Sequence, residues 1–287
     1  MKNWIRIIQT SALCFVLGFV FMTAGLFIFY PQPSHASLTI SPLRVVFEGR
    51  QRSAEVMLLN LSQEENTYRV GWIYNKMNNE GQYERVDQTL TPGYDVADFV
   101  LFSPRQVTIP PSGRQKIRLS LRRPPDLPDG EYRAHMIFQK LPKENADPAI
   151  GTPEKGMQLT MNVVLGFSIP IIVRQGEYDA QVTMSDPRFI PIPEAKGDKP
   201  RLELTLHRTG KHSTLGRIII TWDKSTKPGK RIGILNNVSI YPEMDKRIIR
   251  VQLDENAIPN GNLTVSYVGD GPQRGIIFSE MTIPVGQ

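Results

Sequence analysis

The stretch Met157-Gln-Leu-Thr-Met-Asn-Val-Val-Leu-Gly-Phe-Ser-Ile169 decides how the rest of the chain is read. Every second residue in it is apolar: Met157, Leu159, Met161, Val163, Leu165, Phe167 and Ile169. Successive side chains of a strand point to opposite faces, so this alternation lays an apolar row along one face. At about 3.3 Å per residue the run would extend about 40 Å, whereas typical strands have about five or six residues. The opposite face carries Gln158, Thr160, Asn162, Val164, Gly166 and Ser168, with no charge and no proline. Such a strand at a sheet edge invites pairing by another chain unless something covers it. Two readings follow. It is an unusually regular core strand of a sandwich, or it is a strand lent to another chain, pairing by its backbone and filling that chain's core with alternate side chains.

Working outward, no stretch after Ala36 sustains a helical period; short β-branched and aromatic runs alternate with proline and glycine. Strands are expected at Leu38 to Phe47, Ala54 to Leu59, Tyr68 to Tyr74, Phe99 to Phe102, Gln106 to Ile109, Gln115 to Leu121, Tyr132 to Leu141 and Met157 to Val173. Seven or eight strands in roughly 140 residues suggest an immunoglobulin-like sandwich. A second set is expected at Ala180 to Met184, Leu202 to His207, Arg217 to Trp222, Val238 to Tyr241, Ile248 to Leu253, Leu263 to Tyr267 and Gly275 to Ile283, with a loop from Asp186 to Pro200. The expected fold is all-β: two immunoglobulin-like β-sandwich domains in series, residues 37–174 and 175–287.

The first 36 residues read as an export signal: Lys2 and Arg6 precede an apolar run, and Ser34-His35-Ala36 is a small-x-small cleavage site. Ser11 to Tyr30 is nearly long enough to span a bilayer, so an uncleaved anchor is the alternative. Either way the positive-inside rule puts the body outside the cytoplasm. The lone cysteine, Cys14, sits in this segment, so the exported body has no disulfide and must rely on buried cores.

The formal charge of +6 falls to +4 without Lys2 and Arg6. Arg114, Lys116, Arg118, Arg122 and Arg123 are the densest basic cluster, and Ile117, Leu119 and Leu121 interleave with it as a half-buried strand with a solvated basic face. No aromatic residues interleave as a nucleic-acid binder requires, and export argues against that partner too. His135, His207 and His212 have no cysteine or carboxylate at metal-ligand spacing, so no metal site is expected. Gly269-Asp-Gly-Pro-Gln-Arg-Gly275 has the wrong spacing for a dinucleotide loop and reads as a turn, and no serine sits in a nucleophile elbow. Neither an enzyme, a cofactor nor a small-molecule substrate is indicated.

Several segments together resemble the PapD-like periplasmic chaperones of chaperone–usher pili. Ile40-Ser-Pro-Leu-Arg-Val-Val-Phe-Glu-Gly49 with Ala54-Glu-Val-Met-Leu-Leu-Asn60 is similar to their first strands. Glu131-Tyr-Arg-Ala-His-Met-Ile-Phe-Gln-Lys-Leu-Pro142 is similar to strand F, and the alternating segment ending Ile169-Pro-Ile-Ile-Val-Arg174 to strand G. Tyr267-Val-Gly-Asp270 resembles a turn of the second domain. The resemblance implies two sandwiches in a boomerang arrangement. It also implies a strand G that completes a pilin subunit lacking its last strand until an outer-membrane usher passes the subunit on. Leu159, Met161, Val163, Leu165 and Phe167 match the donor row. Arg44 matches the arginine that anchors the subunit's terminal carboxylate. The family's strand-G lysine is absent, with Gly166 or Ser168 near its place, so Ser168 is the candidate for sharing the anchor. Glu131, Arg174 and Asp270 match a trio that bridges the domains. The implied partners are pilin subunits and the usher, and an unoccupied donor strand could drive self-association. The alternative is a structural or adhesive surface protein, a pilin or adhesin. Against a pilin, Ser37-Leu-Thr-Ile-Ser-Pro-Leu-Arg44 enters the first strand with no alternating extension before it.

Overall fold

The computed structural model describes residues 38–87, 89–91, 93–142, 165–190, 199–223, 229–254 and 260–286. The expected export segment lies outside them, as do Leu159, Met161 and Val163 of the alternating row. No helix among the described residues is long and apolar enough to cross a membrane. They form strands almost throughout. The first set is β1 (Leu38–Ser41), β2 (Val45–Phe47), β3 (Ser53–Asn60), β4 (Asn66–Met77), β5 (Tyr83–Val86), β6 (Val100–Ser103), β7 (Gln106–Ile109), β8 (Arg114–Leu121), β9 (Gly130–Lys140) and β10 (Gly166–Gln175), with the one-turn helix α1 (Val96–Phe99) before β6. The second set is β11 (Gln181–Ile190), β12 (Arg201–Thr209), β13 (Thr214–Asp223), β14 (Lys230–Ile240), β15 (Lys246–Gln252), β16 (Gly261–Gly269) and β17 (Ile277–Val285).

In the first sandwich a sheet ordered β1-β3-β8-β6 faces one ordered β2-β10-β9-β4-β5, with β7 also paired to β4. In the second, β11-β12-β15 faces β14-β13-β16-β17. The fold is all-β, two immunoglobulin-like sandwiches in series. The first core gathers Phe47, Leu58, Tyr68, Ile117, Leu119, Met136, Phe138 and Ile171; the second gathers Leu204, Ile218, Ile220, Tyr241, Val251, Val265 and Tyr267.

Three elements differ from the sequence expectation. Leu38 to Phe47 is two strands in different sheets, because Pro42 has no N–H to continue a ladder and the chain crosses the sandwich there. That crossing places Arg44 immediately before β2, which pairs parallel with β10 (Ile171 opposite Val45). The hairpin partner β5, too polar to show a strand pattern, pairs with the end of β4. Asp186 to Ile190, expected in a loop, continues β11: a bulge between Ser185 and Arg188, with Asp186 at φ 54°, carries the chain past Pro187. The glycine-rich segment is a turn, with a short 3-10 helix over Gly271–Gln273.

Strand β9 explains how the sandwiches join. Tyr132, Ala134, Met136 and Phe138 enter the first core, while Glu131, Arg133 and His135 on the opposite face are buried too. Those polar residues lie under the second sandwich. Ile172 and Met77 belong to the second hydrophobic cluster, and Val46 packs against it. At the tip of the β4–β5 hairpin, Gly81 (φ 80°) lies so close to Arg247 of β15 that any Cβ would collide with the guanidinium. Beside it, Arg250 Nη1 donates to Glu80 Oε2 at 2.5 Å, and Ile248 N–H donates to Asn79 C=O at 2.8 Å.

Arg174, near the end of β10, makes a second junction. Its Nε donates to Glu131 Oε2 at 3.0 Å, its Nη1 to Glu48, and its Nη2 to the Ser213 carbonyl at 2.9 Å. The Ser213 N–H and hydroxyl both donate back to Glu131 Oε2, at 2.9 and 2.7 Å. Burial alone would lower the Arg174 guanidinium, but Glu131 and Glu48 outweigh it and hold the group above its ordinary value. The expected third member, Asp270, is not part of this cluster. It follows β16, its own N–H donates to Leu215 C=O, and its half-exposed carboxylate lies 3.6 Å from Arg217. Glu48, in the turn after β2, faces Arg174 instead.

Two stability predictions follow from this packing. Phe138→Ala should cost about 3–5 kcal/mol, while Leu165→Ala should change stability by less than about 0.5 kcal/mol. Urea unfolding followed by tryptophan fluorescence separates them, and equal losses would mean Leu165 is a core residue. Arg174→Ala strands two carboxylates at the seam and should cost about 3–5 kcal/mol; an unchanged unfolding midpoint would show the cluster to be dispensable.

Candidate functional site: the open edge of β10 and its cleft

On β10 the apolar row goes from buried to exposed. Val173, Ile171 and Ile169 are buried in the first core, Phe167 is half-buried against it, and Leu165 just before the strand is 56 % exposed. From Ile169 to Leu165 the row therefore leaves its own core over about 13 Å of strand, at about 3.3 Å per residue. Leu165 and Phe167 are the described members of the expected donor row.

The strand also loses a neighbour along that length. One edge pairs with β9 from Gly166 to Gln175, but the other pairs with β2 only at Ile171, Ile172 and Val173. From Gly166 to Pro170 the second edge has no partner strand among the described residues. Lys140 N–H donates to Leu165 C=O at 2.9 Å, and Lys140 lies opposite Leu165 in the antiparallel register. Hydrogen-bonded and non-hydrogen-bonded pairs alternate in such a ladder, so odd-numbered residues of β10 turn their backbone groups to β9. Gly166, Ser168 and Pro170 turn theirs to the open edge. Pro170, with no N–H, is tolerated where no neighbour asks for one.

The open edge runs into a cationic cleft between the sandwiches. Arg44 Nη2 donates to Ser239 Oγ at 2.6 Å and to Tyr241 Oη at 2.8 Å. Arg133 lies over the Tyr241 ring, 3.5 Å from its centroid, donates to the Asn75 carbonyl at 3.2 Å and pairs with Glu243. Arg247 Nη1 donates to the Ser239 carbonyl at 2.5 Å. Tyr83 and Tyr241 share a hydroxyl contact at 2.9 Å, and His135 stands edge-on to Tyr83. Among the described residues Arg44 and Arg247 have no ion pair, and Arg44 Nη1, Arg133 Nε and Nη1, and Arg247 Nε are buried without a hydrogen-bond partner. Burial, with Arg133 and Arg44 beside it, lowers His135 to about 3, so near neutral pH it adds no charge. Burial with the Tyr241 hydroxyl pushes Tyr83 well up, keeping it a neutral donor.

Of the two expected anchor residues, Arg44 stands in this cleft. Ser168 is exposed farther out on β10, and neither it nor Gly166 supplies a cation. Sequence reading missed Arg133, Arg247, Tyr83, Ser239 and Tyr241. A trace of Arg133 was available, since Glu131, Arg133 and His135 recur at every second position opposite a core row. Tyr241, just after β14, and Arg247, on β15, are distant in sequence and gave no local signal. Among the described residues no group of histidine, cysteine or carboxylate side chains could hold a metal ion.

No protein-family model matches the chain, and no curated protein matches it. Solved structures do. The chain is similar to the YadV chaperone at 13 % identity and a TM-score of 0.46, over 87 % of this chain and 100 % of that one. It is similar to the CsuC–CsuE chaperone–tip adhesion subunit pre-assembly complex of Acinetobacter baumannii at 13 % identity and a TM-score of 0.42, over 86 % and 97 %. It is also similar to the E. coli chaperone DraB at 12 % identity and a TM-score of 0.42, over 87 % and 97 %.

Proposed function

We propose that this protein is an exported, periplasmic chaperone. It caps an incomplete immunoglobulin-like pilus subunit by donor-strand complementation and hands it to an outer-membrane usher. Residues 1–36 serve as the export signal, 37–174 as the donor domain and 175–287 as the second domain. One observation carries the reading: the apolar row of β10 leaves its own core where the backbone edge of the strand becomes free, and that edge ends at Arg44. A sandwich missing one strand needs a backbone edge to pair with and alternate apolar side chains to fill its groove. Each large apolar side chain so buried contributes about 1.5–3 kcal/mol.

The cleft sets the direction of the incoming strand. Strand β2 already holds the edge at Ile171 to Val173, so an added strand cannot run past Pro170. Running parallel to β10, it brings a carboxylate to Arg44; running antiparallel, it brings an ammonium into a site already rich in guanidinium groups. A planar fork suits the carboxylate. Arg133 supplies the second cation that β10 lacks, held in place by Glu243 and Tyr241. The subunit's terminal carboxylate would then take up the unpartnered N–H groups after a small adjustment of the side chains.

Periplasmic co-expression with a subunit lacking its last strand, followed by pull-down, tests this. Leu165→Asp should leave a soluble, folded protein that no longer captures the subunit, since an unpaired charge in an apolar groove carries a penalty of several kcal/mol. Arg44→Ala should abolish capture and Arg44→Lys restore it in part; if Arg44→Ala binds a subunit with and without its last residue as well as the parent does, the anchor is not in use. Capture should be level between pH 5 and 8. His135 is neutral throughout that range and the guanidinium groups stay charged. A loss centred near pH 6.5, the ordinary histidine value, would mean that a histidine carries the binding charge.

A further inference from the structure

Resting on that reading of the β10 edge, the geometry points to Pro170 as the stop that fixes the register of the added strand. Side-chain alternation rejects a slip of one residue, because every apolar group would turn to the wrong face. It cannot reject a slip of two, which returns each side chain to the same face one pocket along. Something at the end of the edge has to do that.

The backbone supplies it. Gly166, Ser168 and Pro170 face the open edge, and of these Gly166 and Ser168 carry an N–H while Pro170 carries none. The next residue facing that side, Ile172, lies where β2 pairs with β10. Ser168 N–H is therefore the last donor that an added strand can meet. A strand in register ends its ladder on Ser168 and leaves its terminal carboxylate at the Arg44 cleft. A strand slipped two residues deeper finds no donor at Pro170, the last residue before β2 takes the edge. Slipped two residues outward, it loses the cationic cleft. Pro170 is half-buried, opposite His135 in the β9 register and next to the first β2-paired residue, so the missing donor and the cationic cleft meet at one point. This makes Pro170 a positioning residue and gives Ser168 a role through its backbone N–H rather than its hydroxyl.

Disulfide trapping reads the register directly. The full chain carrying Cys14→Ser and Leu165→Cys is incubated, in a buffer of reduced and oxidised glutathione whose disulfide supplies the oxidising equivalents, with synthetic peptides of alternating valine and threonine. Each peptide has a soluble glycine–serine leader, a free terminal carboxylate and a single cysteine placed at successive positions. With Pro170 present, one cysteine position should be trapped at least tenfold over the position two residues away. In Pro170→Ala the restored N–H should admit the deeper register, bringing the two positions within threefold, with the new product nearer the peptide's amino terminus. Ser168→Pro moves the last donor to Gly166 and should shift the favoured position two residues toward the carboxyl end. Cooperative urea unfolding of both variants checks that they are folded. A Pro170→Ala protein that keeps the tenfold preference, or a parent that traps neighbouring positions equally, overturns the stop and leaves the edge reading standing. A parent that traps no peptide overturns both.

Discussion

Ile171 and Ile172 are neighbours on β10, yet their side chains lie in different hydrophobic cores. A strand can bury both faces only where a second layer covers it, so this end of β10 depends on the second sandwich as much as on the first. The same constraint explains β9, whose outer face carries Glu131, Arg133 and His135 into a buried seam. Toward Gly166 the second sandwich no longer covers the outer face, and β2 no longer covers the edge. The strand thus changes within ten residues from an interior element to an uncovered one. The cleft lies at that transition.

The seam uses charge in two different ways. Around Arg174 the guanidinium N–H groups are matched: Glu131, Glu48 and Ser213 accept them, and what stays unpartnered is an acceptor, Glu131 Oε1. Around Tyr241 they are not. Arg44, Arg133 and Arg247 converge with Glu243 paired to Arg133, and several N–H groups are left buried and unanswered. Removing such donors from water without a partner costs free energy. The proposed carboxylate anchor rests on this excess of guanidinium groups, two of them beside the Tyr241 ring.

Much of this was legible in the chain. The alternation from Leu165 to Ile171 marks the strand and its apolar face, and the resemblance of Ile40 to Gly49 singles out Arg44. What stayed hidden was non-local. Nothing near Asp270 says that it will face Arg217, and nothing near Glu48 says that it will reach Arg174, because each outcome depends on which loop crosses the seam. The convergence of β9, β14 and β15 on Tyr241 is likewise a matter of how two sheets are set against each other. Local pattern also misjudged continuity where one residue rules it: Pro42 ends a run that reads as one strand, and the Asp186 bulge prolongs one that reads as broken.

Gly81 has a mechanical consequence. The hairpin tip on which it sits belongs to the edge strand of one sheet and leans on Arg247 with no room for a side chain. Arg174 ties a strand near the other side of that sheet to the turn before β13. Two ties at separated points resist a hinge, since opening about either one breaks the other. The two sandwiches are therefore tied at two separated points of one sheet. For a strand added as proposed, these ties would hold the backbone template in place, and most of the entropy lost on binding would fall on the added chain.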